Sequence, residues 1–447
     1  MSVFSLPEQR LERALADKKP LYTHAEAVAE ANRCLYCADA PCIKACPTGI
    51  DIPTFIHKIQ TDNVKGAART IFESNLLGYS CARVCPVEVL CAGDCVYNHW
   101  GRPPIQIGRL QRYATEVALA DDPTLVSKKG AAPTGRKVAC VGAGPASLAC
   151  AGHLALLGHS VTLFEKKDLP GGLNTLGIAP YKLQAEDALA EIRFILELGD
   201  ITLMTGVGVV EGESNDGEVS AADLLADFDA VFVGIGLGPD TFLDIPGEDG
   251  TRVVGATRYI ERLKSDPDLS LKGIKTVAVV GGGNTAIDVA REMALLGVPE
   301  VVMVYRGTGS QMPGYAHEMH GARTEGVRLL ENRQPVRIVR DEQGELLGLE
   351  VQRMKDKRPV TGAFEVIPVD LVAMAIGQSR LTGLAAAFGG VAVDAKGRVV
   401  VDPATCGTGN PKVYAGGDCV NGGKEVVNAA QHGKLAAMAM HAAFAAK

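Results

Sequence analysis

Apolar residues fall into two kinds of pattern along this chain. Short, nearly continuous apolar runs occur at KVACV (137–141), SVTLFE (160–165), FDAVFVGIG (228–236), TVAVV from residue 276, EVVMVY (300–305) and DLVAMAIG (370–377). Runs of this length, rich in Val and bounded by Gly, read as strands buried on both faces, the condition of a parallel sheet. Between them, apolar positions recur at helical spacing from Pro145 through about Leu157, over IDVAREMALLG (287–297), and from about Val426 towards the C-terminus. Strand and helix in alternation predict an α/β fold. The first 120 residues differ: 53–76 and 105–119 carry helical spacing, the former interrupted at Gly66, and predict a small helical domain. The stretch DDPTLVSKKGAAPTGR at 121–136 reads as a linker.

The chain of 447 residues is long enough for two or three domains. Its 47 % hydrophobic and 22 % charged content is that of a soluble globular protein, and a net charge of −7 argues against a nucleic-acid binder. No apolar run approaches the ~18 residues of a membrane helix, and the mixed-charge N-terminus has no apolar core of a signal peptide. A cytoplasmic protein is expected, in which twelve cysteines stay reduced.

Eight of those cysteines lie between positions 34 and 95, as Cys34, Cys37, Cys42 and Cys46, then Cys81, Cys85, Cys91 and Cys95. Pro47 and Pro86 directly follow Cys46 and Cys85, as in ferredoxin-type runs. Thiolates at these spacings on irregular backbone can converge on cuboidal clusters, so two 4Fe–4S clusters are expected; spacing alone pairs the eight four with four. Structural zinc prefers paired C-x2-C knuckles, of which only Cys34–Cys37 is present. Disulfides conflict with the reducing compartment. The other four, Cys140, Cys150, Cys406 and Cys419, read as inert buried thiols.

After the strand at 137–141 comes the turn Gly142-Ala143-Gly144-Pro145-Ala146-Ser147, then a helix, then a second strand ending at Glu165, 23 residues beyond Gly142. This is a dinucleotide fingerprint in its required context. Gly142 and Gly144 let the backbone approach a pyrophosphate at the helix N-terminus, with Pro145 and Ala146 in the first turn. Glu165 would accept from the adenosine ribose, and Gly172 and Leu173 follow as further contacts. Ser147 replaces the third glycine but is still small.

A second copy starts with Gly281-Gly282-Gly283-Asn284-Thr285, and its second strand ends at Arg306 rather than an acid. An Arg there can take a ribose 2′-phosphate, yet no second basic residue follows, which leaves NADH and NADPH both open. Two fingerprints mean two dinucleotides: a tightly held flavin at the first and NAD(P)H at the second. The strands ending at Gly236 and Gly377 mark where the chain crosses between the units, so the second is inserted into the first. The expected domains are 1–120, a linker to 136, a FAD domain of 137–245 with 380–447, and an NAD(P) domain of 246–379. In VYAGGDCVNGGKEVV, Gly417 and Asp418 would meet the flavin ribityl chain, and a helix beginning near Val427 would aim its positive end at the flavin ring. His153, His159, His317, His320 and His432 are scattered, and hydride transfer between stacked rings needs no acid–base pair.

With CLYCADAPCIKACPTGIDIPTFI and CARVCPVEVLCAGDC in front of two interleaved dinucleotide units, the chain resembles the glutamate synthase small-subunit group, and within it dihydropyrimidine dehydrogenase. That resemblance implies that the first cluster is held by Cys34, Cys37, Cys42 and Gln111, and the second by Cys46, Cys85, Cys91 and Cys95, leaving Cys81 over. It also implies electron input from NAD(P)H through FAD and two clusters to a separate catalytic partner, carrying FMN and iron–sulfur clusters, that reduces uracil or thymine. The alternatives are a glutamate synthase small subunit, a bifurcating NADH-dependent ferredoxin:NADP oxidoreductase subunit, and a non-catalytic iron–sulfur redox sensor.

Overall fold

The computed structural model describes residues 4–122, 124 and 131–446. The N-terminal region is helical: α1 (His24–Ala31), α2 (Pro41–Ala45), α3 (Ile52–Gln60), α4 (Val64–Ser74), α5 (Gly78–Val84), α6 (Val96–His99) and α7 (Ile107–Asp121). The break between α3 and α4 falls at 61–63 and not at Gly66 as the sequence suggested. Asp62 has φ +60°, and the Asn63 side chain accepts from the Gly66 N–H at 2.9 Å. An Asn cap there outweighs the helix-weakening effect of a glycine, which sits harmlessly in the first turn.

Beyond the cysteine-rich region follow β1 (Lys137–Val141), α8 (Pro145–Leu156), β2 (Ser160–Glu165), α9 (Leu173–Leu176), α10 (Ala185–Leu196), β3 (Ile201–Thr205), β4 (Gly208–Val210), β5 (Glu218–Ser220), α11 (Ala221–Asp227) and β6 (Ala230–Val233). Next come β7 (Val253–Gly255), α12 (Ala256–Ser265), β8 (Thr276–Val280), α13 (Asn284–Leu295), β9 (Glu300–Val304), α14 (Ala316–Thr324) and β10 (Arg328–Leu330). The chain ends with β11 (Arg333–Arg340), β12 (Leu346–Lys355), β13 (Arg358–Pro368), β14 (Leu371–Met374), α15 (Thr382–Ala386), β15 (Val413–Ala415), α16 (Asp418–Asn421) and α17 (Val426–Ala445). Of the 121–136 linker, Asp121 closes α7 and 131–136 run beside the end of α8, Thr134 N–H donating to the Gly158 carbonyl; residues 123 and 125–130 lie outside the described residues.

Two parallel five-stranded sheets result, ordered β15-β6-β1-β2-β3 and β10-β9-β8-β14-β7. Every strand of the second lies in sequence between β6 and β15 of the first. The two crossings pair with each other: Gly238 N–H donates to Ser379 O, and Ser379 N–H to Pro239 O. An antiparallel three-stranded sheet, β11-β12-β13, extends from the second unit; the apolar pattern gave no sign of it, because its strands alternate with many charged residues.

The helical region is fixed to the first unit by a shared core. Phe72, Leu76, Leu77 and Cys81 pack in one apolar cluster with Leu154, Phe194 and Ile195, and the Phe72 and Phe194 rings are 4.8 Å apart. Each such fully buried side chain contributes roughly 1.5–3 kcal/mol. The buried Glu191 carboxylate accepts from the Tyr79 and Ser80 N–H groups at 2.8 and 3.1 Å, which caps the free donors at the start of α5. The cysteine-bearing α5 is thereby held in register with the dinucleotide fold.

Candidate functional site

A cleft of about 1360 Å³ runs between the two parallel sheets. One wall is the first glycine turn. Gly142 has φ +83°, and a Cβ there would lie 2.9 Å from the Gly234 carbonyl, so only glycine fits. A Cβ on Gly234 would in turn lie 2.1 Å from Ser147 Oγ, which explains the small residue at that position. Glu165 is held at the cleft wall by N–H groups of Ala143 (2.9 Å) and Lys167 (3.0 Å), with lone pairs to spare for a sugar hydroxyl. Gly142, Gly144, Pro145, Ala146, Glu165, Gly172, Leu173, Gly417 and Asp418 all line the cleft. Burial pushes the Asp418 carboxyl up, while the Lys424 N–H and the Arg380 charge pull it back. His432, which the sequence reading left unassigned, accepts the Gly417 N–H at 3.1 Å and fixes that turn.

The opposite wall carries the second turn. Asn284 and Thr285, opening α13, line the cleft. Gly281, Gly283, Arg306, Gly377 and Val427 do not. A Cβ on Gly281 would sit 2.3 Å from the Ala375 carbonyl, so this glycine serves strand packing. Arg306 is exposed, and no hydrogen bond or ion pair holds it among the described residues. Gly377 accepts at its carbonyl from Thr241 at the crossing (2.9 Å) and Val427 is buried in the first core, with Val426 and Ala429 facing the cleft instead.

Between the walls lies a charged group that no local sequence signal announced. Lys182 Nζ stands 2.7 Å from Asp288 and 2.9 Å from Glu318, and Tyr181 donates to Asp288 at 2.7 Å. Tyr315 donates to Glu425 at 2.8 Å. These residues come from four separate segments, so only the fold assembles them.

The eight cysteines form two groups, and the partition differs from that implied by the resemblance. Cys34, Cys37, Cys42 and Cys95 line one small apolar cavity together with Leu35, Ile56 and Tyr97. Burial pushes the Cys42 thiol up to about 12, with the neighbouring Cys34 and Cys95 thiols adding to it. Cys85 is raised by its contact with Cys81, by burial, and by Cys91 and Cys46 nearby. Cys95 therefore belongs with the first three, and Cys46 with the later ones. The reason is local: Cys46 caps the end of α2 with extended backbone, and Pro47 turns the chain away. Gln111 is buried on α7 and donates its Nε2 to the Gly78 carbonyl at 2.7 Å, which sets its amide at the start of α5, the helix that carries Cys81 and leads to Cys85, and it does not line the Cys34 cavity.

Buried thiols gathered close to one another suit a cationic inorganic core that offsets their charge. Among the described residues, no three His, Cys, Asp or Glu side chains converge on a point that could hold one metal ion. Cys140, Cys150, Cys406 and Cys419 are buried; Cys140, Cys150 and Cys406 share one apolar cluster with Cys81, and Cys150 contacts Cys140.

A parallel-sheet module with two glycine turns facing one cleft, joined to thiol groups of this kind, defines a pyridine-nucleotide flavoprotein with iron–sulfur centres. The family model described as pyridine nucleotide-disulphide oxidoreductase matches residues 136–433, and that described as dihydropyrimidine dehydrogenase domain II, 4Fe-4S cluster, matches residues 11–122. The glutamate synthase [NADPH] small chain of Escherichia coli K12 is 32 % identical over 96 % of both chains. The NAD-dependent dihydropyrimidine dehydrogenase subunit PreT of the same organism is 33 % identical over 98 % of both. Thioredoxin reductase of T. acidophilum shares the fold, with a TM-score of 0.56 at 22 % identity over 69 % of this chain and 99 % of that one. The chain belongs to the iron–sulfur flavoprotein family that includes glutamate synthase small chains and PreT subunits. It is an NAD(P)H-dependent oxidoreductase that uses FAD and 4Fe–4S clusters. No helix among the described residues is long and apolar enough to cross a membrane.

Proposed function

We propose that this chain is the electron-input subunit of a cytoplasmic dihydropyrimidine dehydrogenase, working with an FMN- and iron–sulfur-containing catalytic partner that reduces uracil or thymine to the 5,6-dihydro product or runs the reverse. When bound, FAD would accept the hydride of NAD(P)H and allow its electron pair to leave as single electrons. The supporting observation is a relay. Val84 and Pro86, flanking Cys85, line the dinucleotide cleft, whereas the Cys34 group lies towards a face where Leu35 and Trp100 are 45 % and 56 % exposed. The Cys46/Cys85/Cys91 group thus stands between the cleft and the Cys34 group, and the latter faces outward to a partner.

In this reading, Gly142, Gly144, Pro145, Ala146, Glu165, Gly172, Leu173, Gly417 and Asp418 hold FAD, and Asn284 and Thr285 meet the nicotinamide dinucleotide. Cys34, Cys37, Cys42 and Cys95 hold the outer cluster. Cys46, Cys85 and Cys91 hold the inner one, with Cys81 or Gln111 as its fourth ligand. The pyrimidine assignment draws on the family match over residues 11–122 and on the PreT relatives. A glutamate synthase small chain is the second reading, favoured by the 32 % identity over nearly the whole chain. Mass spectrometry of the chain that co-purifies from the native cell decides. A partner with a flavin barrel and ferredoxin-type cysteine runs is expected; a glutamine-hydrolysing partner would overturn the pyrimidine reading and leave the relay intact.

A further inference from the structure

The segment before α14 is fastened to the second glycine turn. Gly314 N–H donates to the Gly282 carbonyl at 3.0 Å, and Tyr315 N–H donates to Asn284 Oδ1 at 2.8 Å. From this anchorage the Tyr315 side chain crosses the cleft, and its hydroxyl donates to Glu425 Oε1 at 2.8 Å. Glu425 is the residue immediately before α17, and both side chains line the cleft. The Tyr315 ring lies flat on His317, with centroids 5.6 Å apart and planes 11° from parallel.

This bridge occupies the path that the reaction needs. Hydride transfer requires the two rings within roughly 3–3.5 Å of each other. A dinucleotide with its pyrophosphate at the start of α13 must extend its nicotinamide towards the start of α17, and the Tyr315–Glu425 pair spans that gap. The two occupants are alike. A phenol and a nicotinamide are both planar aromatic rings bearing a hydrogen-bond-donating group at the edge, the hydroxyl in one and the carboxamide NH2 in the other. A partly buried carboxylate is costly to leave without a donor, so displacement of the phenol is favourable only if the incoming ring supplies one.

We propose that Tyr315 holds the place of the nicotinamide ring in the free enzyme and that Glu425 accepts the carboxamide N–H once the phenol is displaced. This rests on the cleft being the FAD–NAD(P)H site.

The test is calorimetric binding of NAD+, ADP-ribose and 3-acetylpyridine adenine dinucleotide to the oxidised, FAD-loaded full chain, or of their 2′-phosphorylated counterparts if NADP+ binds better. ADP-ribose lacks the ring, and the acetylpyridine analogue keeps the ring but lacks the N–H donor. Tyr315→Phe is expected to bind NAD+ about fivefold to tenfold more tightly, with ADP-ribose affinity unchanged. The wild type is expected to bind the acetylpyridine analogue at least about fivefold more weakly than NAD+, and Glu425→Ala to abolish that difference. NAD+ affinity unchanged or weakened in Tyr315→Phe, or ADP-ribose tightened equally, would overturn the proposal. So would equal wild-type affinity for NAD+ and the acetylpyridine analogue. Failure of the wild type to bind any of the three overturns the dinucleotide reading of the cleft as well.

Discussion

Replacing Gly433 with Ala pits helix propensity against the crossing of two helices that frame the flavin cleft. Gly433 lies inside α17, where Ala alone would gain about 1 kcal/mol over Gly. In the folded protein, however, a Cβ at this position would stand 2.1 Å from the Ala146 carbonyl oxygen, 2.7 Å from Cys150 N and 2.9 Å from Ala149 Cβ. Two of these are backbone atoms of α8, which cannot rotate away. Restoring normal van der Waals distances requires α17 and α8 to part by about 1 Å or more, and overpacking of this kind costs about 1–3 kcal/mol, at the upper end when backbone meets backbone. The expected net loss is about 1–2 kcal/mol, or a Tm drop of about 1–2 °C for a chain of 447 residues. Ala146 in α8 and Ala429 in α17 both face the cleft, so the same displacement should loosen FAD. The assays are Tm followed by flavin fluorescence and the flavin-to-protein absorbance ratio after gel filtration. A variant with unchanged FAD content and an equal or higher Tm would refute the reasoning, since helix propensity would then have prevailed over a contact that is not there.

Further outcomes follow from other sites. Cys95→Ala should remove the electron paramagnetic resonance signal of the outer cluster and spare the inner one; loss of the inner signal would restore the partition implied by the resemblance. Gln111→Ala should shift the potential of the inner cluster if its amide is a ligand, with flavin content unchanged, and identical redox titrations strike Gln111 from the ligand set. Arg306→Ala should raise KM for NADPH about tenfold and leave NADH alone if a 2′-phosphate sits there; equal effects on both would show that it does not. Burial holds the His153 imidazole down at about 4, so below pH 6.5 the unfolded chain takes up a proton that the folded chain refuses. Stability is therefore full above pH 6.5 and lost as pH falls towards 4, by about 3 kcal/mol, and His153→Leu should flatten the Tm–pH curve over that window.

Strands β1, β2, β6, β8, β9 and β14, both glycine turns and the cysteine content were legible in the sequence because each rests largely on local rules. A short continuous apolar run rich in Val and bounded by glycine reads as a doubly buried strand, Gly142 opens a recognisable strand–turn–helix motif, and eight clustered thiols advertise a metal centre without any knowledge of the fold. The α3–α4 break was misplaced only because two local signals, an Asn cap and a mid-helix Gly, competed within three residues. What tertiary structure alone decided is which of these parts meet. Cys95 joins Cys34 across more than half of the helical region because α6 and α7 return to α1 and α3, an arrangement no spacing encodes. Lys182, Asp288, Glu318, Tyr315 and Glu425 share one cleft although they come from four separate segments, for the physical reason that long-range packing of two sheets, not propensity, sets the distance between them. The sequence by itself determined the kinds of cofactor this protein can hold; the packing determined which of the residues able to hold them stand together.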